Sequence, residues 1–250
     1  MKNRLLPALL VAALFMALPL VHAEAAQLRW IKEMVIEAPK GTVYFIYSDL
    51  RRLVAGPETA YDAVSGGIIY GMCRQEQNQG FDTHQYWVEQ QDSGIPGKLK
   101  FSGKTVLVLG GRGANVVTYY YEWSTFVAPV YVYFNSEYFY FITNSLVTGQ
   151  PTKVYSIRIS EVSTLHSDMF VIESFKDSGG NTIFIIYGLT WKGTWAAGVY
   201  FKDVIYPDIM QNPAKYDGSY FVGIWYDAPD QQDYLDGVPQ LGEVIPYPEA

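Results

Sequence analysis

The stretch KTVLVLGGRGANVVTYYYEW, Lys104 to Trp123, constrains the fold more than any other part of the chain. Thr105 to Leu109 is an unbroken run of β-branched residues and leucine, the composition of a strand buried on both faces. Gly110, Gly111 and Gly113 end it. Asn115 stands where an N-cap belongs, with a short side-chain oxygen able to accept from an early helical N–H. Val116, Tyr119 or Tyr120, Trp123 and Val127 then recur at helical spacing and predict one apolar helix face. Strand, glycine turn and helix in that order make one unit of an α/β sheet.

The glycines carry two readings. Exposed N–H groups and the helix dipole attract phosphate or carboxylate, which makes Gly110, Gly111, Arg112, Gly113 and Asn115 a candidate anion or ligand turn. Alternatively the glycines are architectural, because only glycine tolerates the φ values of so sharp a turn. The spacing GGxG is neither GxGxxG nor GxxxxGK[ST], and no acidic residue follows about twenty positions on to hold a ribose. The architectural reading is favoured over a nucleotide site.

Other segments extend the pattern. Leu28 to Ala38 reads as a first edge strand and Thr42 to Tyr47 as a second strand. After Gly56-Pro57, the residues Ala60, Val64, Gly67, Ile68, Gly71 and Met72 form a small, apolar stripe at helical spacing. Arg74 to Leu99 is polar and glutamine-rich and predicts a long surface loop with a short element near Tyr86 to Val88. Pro129 to Thr143 reads as two aromatic strands turning near Asn135-Ser136, and Lys153 to Ile159 as another strand. Asp177-Ser178-Gly179-Gly180 marks a hairpin between Asp168–Phe175 and Asn181–Tyr187. A looser strand–turn–helix unit follows, with Thr194 as its expected N-cap and Ala197, Phe201, Val204 and Ile205 on one helix face. Ser219 to Tyr226 is a last strand, and 227–250 an acidic, proline-punctuated tail. Alternating strands and helices with hairpins between them predict an α/β or α+β fold: a mixed β-sheet with helices packed on its faces. No composition shift forces a domain boundary, so 24–250 reads as a single extracellular domain.

Residues 1–23 have the layout of a signal peptide: Lys2 and Arg4, an apolar run from Leu5 to Leu20, and Val21-His22-Ala23 at a small-residue cleavage site. Its loss removes two of the 18 basic residues and leaves the 25 acidic ones, a net charge of −9. An acidic exported chain argues against nucleic acid and against anionic lipid as partners. After signal cleavage no transmembrane span is expected. Cys73 is the only cysteine, so no intramolecular disulfide forms, and stability falls to packing by 21 tyrosines, 13 phenylalanines and 6 tryptophans.

Chemistry-bearing motifs are sparse. Asp236-Gly237 followed by Glu243 matches the second half of an EF-hand loop, which makes Asp233, Asp236 and Glu243 calcium candidates, with Asp227 and Asp230 near enough to join. A solvated acidic turn explains the same residues. Ser163, His166 and Asp168 have the residue types of a triad, but triads are assembled across a fold and not in a row. No catalytic motif is recognisable, and no cofactor other than calcium is expected.

Three pieces carry a resemblance. YDAVSGGIIYGMCR spans Tyr61 to Arg74 and LGGRGANVVTYYYE spans Leu109 to Glu122. LTWKGTWAAGVYFKDVIYP is followed by WYD and DGVPQLGEV. Together they are similar to archaeal cell-surface proteins of the S-layer-like kind, over most of residues 40–245. The resemblance implies a non-catalytic envelope component that self-associates or binds other envelope proteins. Gln231, Gln232 and Tyr234 depart from that group's richer run of Asp and Asn, which puts a calcium role in doubt. The expected function is therefore an exported structural or interaction protein of the cell surface. The alternative is a secreted ligand-binding protein or hydrolase with its site at Gly110 to Asn115.

Overall fold

A computed structural model describes residues 27–28, 32, 43–47, 79–82, 88–89, 95–144, 150–212, 214, 216, 218–228 and 238–247. The strands are β1 Gln27–Leu28, β2 Val43–Tyr47, β3 Gln79–Asp82, β4 Thr105–Leu109, β5 Val130–Phe134, β6 Tyr138–Thr143, β7 Lys153–Arg158, β8 Ser167–Lys176, β9 Thr182–Gly188, β10 Tyr220–Tyr226 and β11 Val244–Tyr247. Helix α1 is Val116–Tyr119, continued by a π turn, Tyr120–Ser124; α2 is Ile159–Val162. Helix α3 is Trp191–Tyr200, running on through a π turn, Phe201–Ile205, and a last α-helical segment, Tyr206–Gln211.

Eight strands form a mixed sheet in the order β11-β10-β8-β9-β4-β2-β3, with β1 added to β8. The half containing β3, β2, β4 and β9 is parallel, and β9, β8, β10 and β11 are antiparallel. A separate antiparallel sheet orders β5-β6-β7. Together with the helices this is an α+β architecture, as the sequence pattern predicts.

The continuous apolar runs of β4 and β9 follow from cover on both faces. Val43, Phe45, Leu107, Leu109, Phe184 and Ile186 pack against Ala196, Ala197, Phe201, Ile205 and Ile209 of α3. On the opposite face Ile46, Val106, Val108, Val171, Ile183 and Ile185 share one core with Val130, Val132, Phe141 and Ile157 of the second sheet and Val117 and Tyr121 of α1. The order of layers is α3, large sheet, then small sheet with α1.

Several expectations need correction. The helix face after Asn115 is displaced: Val117, Thr118, Tyr121 and Glu122 are buried, whereas Tyr119 and Trp123 are exposed. The N-cap of α3 is Thr190, whose side chain accepts from the Lys192 N–H; Thr194 lies inside the helix and donates to the Thr190 carbonyl at 3.3 Å. Strand β3 falls within the stretch that reads as polar loop, because an edge strand paired on one side needs little apolar sequence. The element near Val88 is an isolated bridge from Val88 to Leu99. The tail contains β11, and Pro246 is tolerated there because the strand lies at the sheet edge. The stripe from Ala60 to Met72 and the signal segment lie outside the described residues, as does most of Leu28 to Ala38.

Candidate functional site

The glycine turn leaves β4 through Gly110, whose φ of 92° is open to glycine and strained for other residues. Its N–H still bonds the Ile186 carbonyl at 3.1 Å, and the turn closes with Ala114 and Asn115 N–H groups on the Gly111 carbonyl, both at 2.9 Å. Asn115 is fully buried. Its Oδ1 accepts from Val117 N–H at 2.9 Å, and its Nδ2 donates to the carbonyls of Leu109 at 2.8 Å and Ile46 at 3.4 Å. Thr118 Oγ1 donates to the Gly110 carbonyl at 2.7 Å. The capping role predicted for Asn115 is therefore present, and one amide ties β4, β2 and α1 together. The Arg112 guanidinium lies 4.6 Å from the centre of the Trp123 ring.

The second strand–turn–helix unit is closed by a residue from a neighbouring strand. Asp168 of β8 is fully buried at the start of α3. Its carboxylate accepts from the N–H groups of Met169 at 2.7 Å, Leu189 at 3.2 Å, Thr190 at 2.9 Å and Gly193 at 3.0 Å, and from Thr190 Oγ1 at 2.6 Å. Burial pushes its pKa up to about 6, and the donors hold it from rising further. The side chain occupies the place where a helix start would receive an external anion. Gly193 is required by this contact, since a Cβ there would lie 2.6 Å from the Asp168 carboxyl carbon.

Between the sheets lies a cluster that the sequence reading missed. Glu122 of the π turn and Glu173 of β8 are both fully buried. Tyr187 OH donates to Glu122 Oε1, and Val130 N–H donates to Glu173 Oε2 at 2.9 Å. Glu122 Oε2 and Glu173 Oε1 are buried without a hydrogen-bond partner. Burial raises the Glu122 pKa to about 8, opposed by the Tyr187 hydroxyl and the Arg112 charge. Burial, then the charge of Glu122, drives Glu173 well above the usual carboxylate range. Near neutral pH the pair is held as neutral acid. Its signals in the sequence were single charges in apolar runs, YYYEW and MFVIESF.

A cleft of about 210 Å³ opens beside this cluster, lined by Gly111, Arg112, Gly113, Phe134, Phe139 and Tyr187 among others. Arg112 and two of the turn glycines thus reach one cavity, whereas Asn115 is used internally. The Ser163, His166 and Asp168 row is not a triad. Ser163 Oγ donates to the Ser160 carbonyl, His166 Nδ1 meets Asp227 Oδ2, and Asp168 serves α3.

Of the calcium candidates, Asp227 and Glu243 are described; Asp227 Oδ2 meets His166 Nδ1, and Glu243 is held by donors of the protein. It accepts from Trp225 Nε1 at 2.8 Å and from the N–H groups of Ala228 and Gln240, both at 2.9 Å, so both oxygens have protein donors. Asp230, Asp233 and Asp236 lie outside the described residues, as do Cys73 and His84. Among the described residues no group of three or more His, Cys, Asp or Glu side chains could hold a metal. No helix among them is long and apolar enough to cross a membrane. No protein-family model, no curated protein and no solved structure matches the chain.

Proposed function

We propose that the protein is an exported component of the cell surface, of the S-layer-like kind its motifs resemble, and that it works by protein–protein or protein–envelope contact without turning over a substrate. The observation that carries this reading is the aromatic surface around the small sheet. Phe134 and Tyr133 are 56% and 46% exposed, and Tyr119 and Trp123 of the neighbouring helix are 40% and 39% exposed. Tyr133 and Phe134 are successive residues of β5 and expose rings on its two faces, and large, rigid side chains left in water favour a contact surface. The starts of α1 and α3 support it, since each is satisfied by side chains of the protein itself.

Incubating the full chain with native envelopes, with and without a chelator, is the test. Retention with the sedimented envelope is the expected result, and retention lost on chelation would bring calcium and the acidic residues Asp233 and Asp236 into the contact. A monomer that ignores envelopes and turns over a substrate would sink the reading.

The cleft beside Arg112 favours a second reading, a secreted ligand-binding protein or hydrolase. A rise in thermal midpoint with small carboxylates, absent in the Arg112→Ala variant, would speak for it.

A further inference from the structure

Strands β4 and β9 are parallel neighbours, yet the chain leaves them toward opposite faces of the large sheet. After β4 it enters α1, whose Val117 and Tyr121 join the core shared with the small sheet. After β9 it enters α3, whose Ala196, Ala197 and Phe201 pack on the other face. Segments that part in this way open a crevice beyond the carboxyl ends of their strands. Open α/β sheets take their ligands at such a switch point. The cleft of about 210 Å³ lies there, since Gly111, Arg112 and Gly113 follow β4 while Tyr187 and Gly188 end β9.

The facing wall comes from the small sheet. Val130, Val132 and Phe134 alternate toward the large sheet, and the register sets Phe141 opposite Val132 and Phe139 opposite Phe134. Val130, Val132 and Phe141 are buried in the core, whereas Phe134 is exposed. It lines the cleft with Phe139, the two rings 6.0 Å apart at 57°. The core between the sheets therefore ends in an open pair of rings beside the glycine turn.

One charged side chain lines the cleft, that of Arg112. Its guanidinium is held against Trp123, and among the described residues no acceptor meets its N–H groups. Those donors lie in the plane of the group, so stacking on an indole leaves them open to a carboxylate. The acids Glu122 and Glu173 stand beyond the Tyr187 hydroxyl and are neutral near pH 7, so the charge of Arg112 is not cancelled from below.

We propose that this cleft binds a small aromatic monocarboxylate. Its carboxylate pairs with the fork of Arg112, and its ring lies against Phe134, Phe139 and Tyr187. The proposal rests on the ligand-binding reading of the cleft and names the class of ligand. One guanidinium balances one negative charge, whereas a phosphate near two charges would leave the second uncompensated beside apolar walls. A sugar acid would set its hydroxyls against phenylalanine, valine and leucine, where they find no partner. The volume also selects. It falls below the roughly 300–1,000 Å³ of sites for drug-sized ligands, and a protein interface needs about 800 Å² on each partner.

The test is calorimetric titration of the full chain at pH 7 with phenylacetate, acetate, benzyl alcohol and inorganic phosphate. Phenylacetate should bind once per chain, at least about tenfold more tightly than acetate or benzyl alcohol, each of which lacks half of the recognised groups. Arg112→Gln should weaken it by about tenfold or more, the effect of a lost charge-assisted hydrogen bond. Phe134→Ala, at an exposed position, should weaken phenylacetate by about tenfold and leave acetate nearly unchanged. A wild-type circular dichroism spectrum establishes that each variant folds. Equal affinity for benzyl alcohol would leave the apolar walls alone as the cause and overturn the proposal, as would an unchanged affinity in Arg112→Gln. Binding of acetate or phosphate without phenylacetate defeats this proposal and spares the ligand-binding reading. Binding of none of the four defeats both.

Discussion

The thermal midpoint is expected to rise as the protein is taken from about pH 8 to about pH 5. The cause is the buried acid pair between the sheets. The Glu122 carboxyl has a pKa of about 8 in the folded chain against an ordinary value of 4.5. A raised folded value means that folding takes up a proton. The resulting stabilisation is complete below the ordinary value and is lost as pH climbs through about 8. At about 1.4 kcal/mol per pKa unit, the change across this window is roughly 3–5 kcal/mol. Glu173 and Asp168, whose pKa values are also raised by burial, act in the same sense. Thermal unfolding followed by circular dichroism across that range measures the effect. Glu122→Gln should flatten the profile, since the amide oxygen still accepts from Tyr187 while the titration is gone. A midpoint that climbs with pH would mean that the pair is ionised in the folded state. The alkaline limb has a structural target as well: Glu173 receives the first N–H of β5, so ionising the pair strains the attachment of the small sheet.

Asp168→Ala is expected to cost roughly 3–5 kcal/mol in urea denaturation, near the upper end for a single substitution. The change removes no large apolar volume. It leaves the N–H groups of Met169, Thr190 and Gly193 and the Thr190 hydroxyl without their acceptor, while the Leu189 N–H keeps the Met169 carbonyl at 3.1 Å. A buried donor deprived of its partner bears the full desolvation penalty. Asp168→Asn should fall between the two, because one amide oxygen remains while the NH₂ group faces other donors. A loss under about 1 kcal/mol for the alanine variant would mean that water reaches the start of α3 and replaces the carboxylate.

What was legible in the sequence was local. A β-branched run broken by glycines identified β4 and its turn. A single Asn at the right offset identified the cap of α1, and Asn135 and Asp177 with its glycines marked two hairpins. These signals act within a few residues, where backbone preference dominates. The errors arose where distant parts decide. Thr190 and Thr194 are both adequate caps by composition, and Gly188 and Asp168 determine where α3 begins. The face of α1 was misjudged because the chain widens into a π turn after Tyr119, and because Glu122 is buried against Tyr187 of β9. Asp168 was read beside its sequence neighbours, whereas four of its five donors come from Leu189 to Gly193. The aromatic strands were predicted, but which tyrosines face water depends on the register of β5, β6 and β7.

The closure of α3 by Asp168 can be restated as competition. The carboxylate is a ligand tethered to its own binding site, and a tethered ligand acts at an effective concentration set by the chain, millimolar even for short flexible tethers. A rigid strand such as β8 holds it in place continuously. A free phosphate or sugar acid would have to displace a partner that never diffuses away, so the helix start is closed to solution anions at cellular concentrations. Under the proposed contact function, the exposed rings rather than the start of α3 are left to meet a partner.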